Sequence, residues 1–311
     1  MISDYTIVTA SDNTYFHFAK GLILSIREKK EGRDVSLSFL DLGCSSEQLQ
    51  WLENMSIHVK KADWNIQFPT QVPKPNHIKA QAAKPFLRTY FPGHDVYIWM
   101  DADTWIQDWE AVELYLRGAQ QSEIAITPEM HRSFKGYYEY GIGYQWLSWK
   151  VYEDCFDSRE AEKYQRYPII NSGVFAMRKD SKLWDLWAAQ LTLSLQKTQH
   201  LCTEQTTLNH VIYGFDYDQL LENVEFLPVT CNWPCHQGLP LFDSERCLLV
   251  EPFLPYERLK IIHRSGDTIK EKGQEDISTL NGKTIRMNLK YKEGKYDTEL
   301  STAVCEVNLW Q

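Results

Sequence analysis

The sequence predicts an α/β fold: a mostly parallel central sheet flanked by helices, carrying an aromatic-rich insertion. Three observations predict it. Strand-like and helix-like segments alternate over residues 5–60, the pattern of parallel βαβ units. The apolar run Val96-Tyr97-Ile98-Trp99 reads as a buried strand and leads into two carboxylates one residue apart, Met100-Asp101-Ala102-Asp103-Thr104. Eight aromatic residues then crowd positions 134–152, interrupted by Gly136, Gly141 and Gly143.

Taken in order, Tyr5-Thr6-Ile7-Val8-Thr9-Ala10 is the first strand and Ser11-Asp12-Asn13 a polar turn. Residues 15–30 form a helix with Phe18, Leu22 and Ile26 on its apolar stripe. Residues 35–40 alternate as a second strand, followed by a helix over 45–54 with Ser45 as its N-cap. A strand is expected at 57–60. No Gly-x-Gly-x-x-Gly follows the first strand, so the dinucleotide fingerprint is absent. Three prolines make 69–75 a loop, and residues 77–91 read as a helix interrupted near Pro85. Lys84 and Arg88, four apart, should share its face.

Beyond the carboxylate pair, residues 108–117 are helical and 124–127 a strand. The aromatics from Phe134 to Tyr152 form a lid or acceptor platform, or else a satellite core under a long insertion, and burial is the commoner use of such rings. Residues 168–177 read as a strand interrupted by Asn171-Ser172-Gly173, the sign of a bulge or a close ligand approach. Helices follow at 181–196, capped by Asp180 or Ser181, and from Thr203, with Glu204 favourably placed in the first turn. Residues 227–234 read as a strand running into a loop, and Lys260-Ile261-Ile262-His263 as a late strand. The tail from 272 is charged and then mildly strand-like.

Composition bounds the function. The chain has 311 residues, 43% apolar and 24% charged, ordinary values for a globular protein. Its net charge of −9 argues against a nucleic-acid partner, which favours a basic footprint. No apolar run reaches the length of a membrane span, and no signal-peptide pattern opens the chain, so a cytoplasmic location is expected. Seven cysteines without framework spacing suggest reduced thiols. Cys231, Cys235 and His236 lack the second ligand pair of a structural zinc site.

Asp101 and Asp103 at a strand end point to the same side and can converge on one divalent cation, where an open sheet binds ligands. The competing reading is a strand-end turn. His263, at the end of the late strand, is the imidazole that would complete the set.

Together these segments resemble glycosyltransferase family 8, the glycogenin-like and lipooligosaccharide galactosyltransferase-like enzymes of the Rossmann-like GT-A fold. Met100-Asp101-Ala102-Asp103-Thr104 is similar to the family's Asp-x-Asp segment. Ile170-Asn171-Ser172-Gly173-Val174 resembles its Phe-Asn-x-Gly-Val, Glu204-Gln205-Thr206-Thr207-Leu208-Asn209 its Asp-Gln-x-x-Leu-Asn, and His263-Arg264-Ser265-Gly266 its late His-x-x-Gly. The likeness spans about residues 4–270. It implies one GT-A domain over 1–270, with an insertion at about 128–165 and a C-terminal extension over 271–311. Two departures stand out. Glu204 occupies a position where the family has Asp, and Ile269 stands where it has the lysine that here follows at Lys270.

The resemblance implies transfer of a sugar from a nucleotide-sugar donor, a UDP-hexose, to a glycan or glycolipid-like acceptor with retention at the anomeric carbon. Mn2+ (or Mg2+) would be held by Asp101, Asp103 and His263. Donor contacts would come from Thr9, Ala10, Asp12, Lys84, Arg88, Ala102, Ser172, Gly173, Gly266 and Lys270. Asn171, Glu204 and Gln205 would face the reacting sugar, by front-face attack or through a covalent adduct. Two rival readings are a two-carboxylate glycoside hydrolase using Asp101 and Glu204, and a non-catalytic carbohydrate-binding or scaffold protein on the same fold.

Overall fold

The structure is a computed structural model, which describes residues 4–67, 76–139, 145–266, 269–270 and 273–291, without the side chains of 76, 77, 137, 139 and 145–147. The strands, in chain order, are β1 (Tyr5–Ser11), β2 (Ser36–Asp41), β3 (His58–Lys61), β4 (Val96–Met100), β5 (Thr104–Ile106), β6 (Ile124–Pro128), β7 (Ile170–Arg178), β8 (Val224–Phe226), β9 (Trp233–Pro234), β10 (Leu241–Asp243), β11 (Leu248–Val250), β12 (Ile261–His263), β13 (Glu275–Ser278) and β14 (Thr284–Met287). The helices are α1 (Phe16–Arg27), α2 (Ser46–Asn54), α3 (Asn76–Ala83), α4 (Leu87–Tyr90), α5 (Glu110–Gln121), α6 (Gly136–Glu139), α7 (Gln145–Cys155), α8 (Ser158–Tyr164), α9 (Leu183–Lys197), α10 (Thr203–Tyr213) and α11 (Tyr217–Asn223). Among the described residues no helix is long and apolar enough to cross a membrane.

Seven strands form the main sheet in the order β3-β2-β1-β4-β7-β6-β8. All neighbours pair in parallel except β7, which is antiparallel to both β4 and β6. The mostly parallel sheet expected from the sequence is therefore present. Alternation along β4 sends Val96, Ile98 and Met100 into one apolar layer with α1 and α5, and Tyr97 and Trp99 into the opposite layer with α9 and α10. Ser45 caps α2 through a reciprocal capping box: its Oγ accepts from Gln48 N at 3.3 Å, and Gln48 Oε1 accepts from Ser45 N at 2.9 Å.

β4 ends where the molecule divides. β5 leaves the main sheet and pairs antiparallel with β12, placing Thr104 opposite His263, while β12 pairs in parallel with β9. This three-stranded sheet packs on a third core that contains Phe134, Trp233, Ile262, Ile277, Met287 and Leu289. The hairpin β13–β14 thus contributes to the same core as the strand carrying His263.

Several boundaries differ from the sequence expectation. Residues 227–234, expected as a strand running into a loop, instead follow the end of β8 at Phe226 and hold a 3-10 turn at Val229–Cys231 and the short β9. Pro228, with fixed φ and no N–H, ends the strand ladder there. The helix over 77–91 does break at Pro85, into α3, a 3-10 turn over Lys84–Phe86 and α4. Cys44, Cys155, Cys202, Cys231 and Cys235 are free thiols, but Cys247 is disulfide-bonded, which corrects the expectation of an all-thiol chain.

Candidate active site

The site lies in the fork between the two sheets, at the carboxyl end of β4. Asp101 follows β4 directly and its N–H donates to Gly173 O at 2.7 Å, so β7 fixes where β4 stops. Asp103 O accepts from Arg264 N at 2.9 Å, which ties the second carboxylate to the end of β12. These two backbone links bring ligand atoms of Asp101, Asp103 and His263 within 4.8 Å of one another. His263 Nε2 lies 3.4 Å from Asp103 Oδ1.

β7 opens to make room for them. Its register against β6 jumps between Ile126, opposite Phe175, and Thr127, opposite Asn171, so residues 172–174 bulge out of the ladder. The expected interruption at Asn171-Ser172-Gly173 is this bulge. A Cβ on Gly173 would strike the His263 ring and come within 2.8 Å of Asn171 Oδ1 and 3.0 Å of Asp101 Oδ2. The space beside the three ligand groups therefore depends on glycine at this position.

Two lysines flank the acids. Lys84 is fully buried, with Nζ 3.3 Å from Asp101 Oδ1, 3.0 Å from Glu204 Oε2 and 3.1 Å from Ser172 O. Burial alone would lower its pKa, but the facing Asp101 and Glu204 outweigh burial and raise it, so the ammonium stays charged. On the other flank Lys270 Nζ lies 2.7 Å from Asp103 Oδ2. Burial alone would raise the Asp103 carboxyl; His263 and Lys270 prevail and hold it far below the ordinary carboxylate range. The one-residue offset of Lys270 from the family pattern is thus absorbed before the side chain reaches the site. Ile269 fills the third core instead.

Around this centre Ser172 Oγ donates to Glu204 Oε2 at 3.0 Å, and Ser172 N to Gln205 Oε1 at 3.1 Å. Glu204 Oε1 is buried without a hydrogen-bond partner among the described residues. At the end of β1, Thr9 Oγ1 and Ser11 Oγ are also buried without partners among the described residues, beside Ala10. Asp12 accepts from Thr14 N and Tyr15 N, each at 3.0 Å, and so shapes the turn before α1. Gly266 adopts a φ of +90°, and a Cβ there would come within 2.7 Å of His236 Cβ.

Two sequence assignments need correction. Arg88 does not join the site. It pairs with Asp185 and donates to Lys179 O at 3.2 Å, and β7 runs antiparallel to β4, so Lys179 lies at the far end of the sheet from Asp101. The 3-10 turn beginning at Lys84 has about three residues per turn, so a four-residue spacing no longer shares a face. Asn171 is turned into the protein rather than toward a ligand: Nδ2 donates to Glu129 Oε1 at 2.6 Å, and Oδ1 accepts from Gly173 N at 2.8 Å and from Asn232 Nδ2 at 2.9 Å.

Sequence reasoning missed Glu129 and Asn232. Glu129 follows β6 as Asp101 follows β4, a carboxylate at a strand's carboxyl end, and that signal was available. Asn232 lies between Cys231 and Trp233 in an apolar run, which is a weaker mark. Of the aromatic stretch, Phe134 and Tyr152 are buried and Trp149 is packed against the core, while Tyr138 is exposed and donates to Arg132 O at 2.6 Å. Tyr140 and Tyr144 and the side chains of Tyr137 and Trp146 lie outside the described residues.

Neither a protein-family model nor a curated protein sequence matches the chain. Solved structures do. The galactosyltransferase LgtC, in complex with donor and acceptor sugar analogues, is 14% identical with a TM-score of 0.50, over 84% of this chain and 87% of that one. The bifunctional glycosyltransferase WbbM is 14% identical with a TM-score of 0.49; the likeness covers 86% of this chain but only 46% of WbbM, so this chain spans about half its length. Mouse xyloside xylosyltransferase 1 is 15% identical with a TM-score of 0.47, over 85% of this chain and 97% of that one. The galactosyltransferase likeness defines the fold class: the chain has the GT-A glycosyltransferase fold, a mixed α/β architecture with a mostly parallel central sheet.

Proposed function

We propose that the protein is a divalent-metal-dependent glycosyltransferase of the family 8 type, moving a hexose from a UDP-sugar to a glycan or glycolipid-like hydroxyl acceptor with retention. The observation that carries this reading is the convergence of Asp101, Asp103 and His263 within 4.8 Å, flanked by Lys84 and Lys270. The donor set fits the group. Two carboxylates and one imidazole suit Mn2+, with Mg2+ as the alternative, and the glycine bulge leaves space beside them. A bound cation would supply charge stabilisation for a diphosphate leaving group.

The chain's own residues do the rest. Lys84 and Lys270 approach the acids from opposite flanks and neutralise the charge that a diphosphate brings. Thr9 and Ser11 offer unpartnered hydroxyls at the end of β1 for the nucleoside. The orphaned Oε1 of Glu204 accepts a hydrogen bond from a donor-sugar hydroxyl, while its other oxygen remains with Lys84 and Ser172. That commitment also disfavours Glu204 as one half of a hydrolytic carboxylate pair, since its nucleophilicity is spent on a buried ammonium.

Calorimetry of UDP with and without Mn2+ tests the proposal. UDP is expected to bind in the presence of Mn2+ and at least tenfold more weakly without it. Metal-independent UDP binding, or none, overturns the reading. Proton NMR of the first product formed tests retention separately, and an inverted product removes the family 8 assignment.

A further inference from the structure

The hydrogen bonds behind the metal-ligand set have directions that follow from one backbone amide. Gly173 N–H can only donate, and it donates to Asn171 Oδ1 at 2.8 Å. This fixes the Asn171 carboxamide, so its Nδ2 is the atom that donates to Glu129 Oε1 at 2.6 Å. Glu129 is held in turn by Gln237 Nε2, which donates to its Oε2 at 2.8 Å. Asn171 Oδ1 is an acceptor, so the Asn232 atom facing it at 2.9 Å must be the amide nitrogen. Asn232 Oδ1 then faces His263 Nδ1 at 3.0 Å and can only accept. The imidazole must carry its proton on Nδ1. The other ring nitrogen, Nε2, is the one that lies 3.4 Å from Asp103 Oδ1, on the side of the carboxylates.

We propose that Asn232 is a positioning residue that locks neutral His263 as the Nδ1–H tautomer and so aims the Nε2 lone pair at the cation site. The relay runs from Glu129 through Asn171 and Asn232 to His263, and all four side chains are buried. Its logic is that of an outer-shell partner that sets tautomer and ring orientation before a metal arrives, so that no rearrangement is needed on binding. It also gives Asn171 a role that its protein-facing carboxamide permits. The inference rests on the metal reading for its purpose but not for its geometry, and the two can be tested apart.

The first measurement is a long-range proton–nitrogen correlation spectrum of the native, metal-free protein, followed to alkaline pH. His263 is expected to show a protonated Nδ1 and an unprotonated Nε2. The reverse tautomer, or an even mixture, overturns the proposal without any variant being made. The second is a Mn2+ titration followed by electron paramagnetic resonance. Asn232→Leu keeps the volume but removes the acceptor and should weaken Mn2+ binding by roughly 10–100-fold. Asn232→Asp restores an oxygen facing Nδ1 and should bind Mn2+ more tightly than Asn232→Leu. Equal affinity in a folded Asn232→Leu and the native protein overturns the relay. A native protein that takes up no Mn2+ overturns the proposed function instead, while the spectrum still decides the tautomer.

Discussion

At the scale of single residues, the site is a balance of buried charge. Asp101, Asp103 and Glu204 face Lys84 and Lys270, and each lysine is shared or closely paired. Removing one member exposes how the balance is built. Lys84→Met should destabilise the protein by about 3–5 kcal/mol, because Glu204 is left buried and uncompensated. The double variant Lys84→Met with Glu204→Gln should recover much of that loss, since the orphaned charge goes with its partner. Denaturant midpoints of the three proteins check this; a double variant no more stable than Lys84→Met would mean that the pair is not coupled. Asp101, Asp103 and His263 were legible because strand-end acids and a strand-end imidazole are local patterns. Lys84 was legible only through the family resemblance, since nothing local separates a buried lysine from a surface one. Glu129 and Asn232 bond partners up to 108 residues away, and no spacing within their own segments shows that.

At the scale of elements, two departures from regular structure place the chemistry. The 3-10 turn at Lys84–Phe86 rotates Arg88 away from Lys84, and the bulge in β7 sets Gly173 directly against the ligand groups, where only a residue without a Cβ fits. Arg88→Ala should therefore leave Mn2+ affinity unchanged and cost at most about 1 kcal/mol, because the ion pair with Asp185 is largely exposed. A marked fall in metal affinity would return Arg88 to the site. Gly173→Ala should behave oppositely. The added methyl meets the His263 ring and Asp101, both held by backbone or buried hydrogen bonds, so neither can yield freely. Mn2+ affinity should drop at least tenfold, and a Mn2+ titration showing native affinity would mean that the ligand groups can shift apart. Pro85 and the Asn-Ser-Gly interruption marked both elements in the sequence. Their consequences were not legible, because helix type and bulge register depend on what packs against them.

For the whole molecule, the sequence conveyed the α/β alternation of the first half better than the second half. β1, β2 and β3 pair in parallel with their neighbours in the sequence, and β4 returns to pair in parallel on the other side of β1, whereas β7 enters between β4 and β6 after a long excursion and reverses direction. The three-stranded sheet joins β5 to β9 and β12, which both lie more than a hundred positions further along the chain. The C-terminal segment was the least readable part, with a charged composition and only faint alternation. In the structure β13 and β14 send Ile277 and Met287 into the core beneath β12, Leu289 follows them, and Leu289 O accepts from Trp105 Nε1 at 2.8 Å. Burying three such side chains contributes roughly 5–9 kcal/mol, comparable with the whole stability of an ordinary domain at about 5–15 kcal/mol. A chain ending at residue 272 should therefore lose most of its stability, and the loss should be felt first by β5 and β12, which carry Thr104 and His263. Chemical denaturation and Mn2+ titration of that truncated chain check the two consequences together. Native stability would show that 273–291 is a dispensable cover. A lowered midpoint with intact Mn2+ affinity would show that β12 holds His263 in place without the hairpin beneath it.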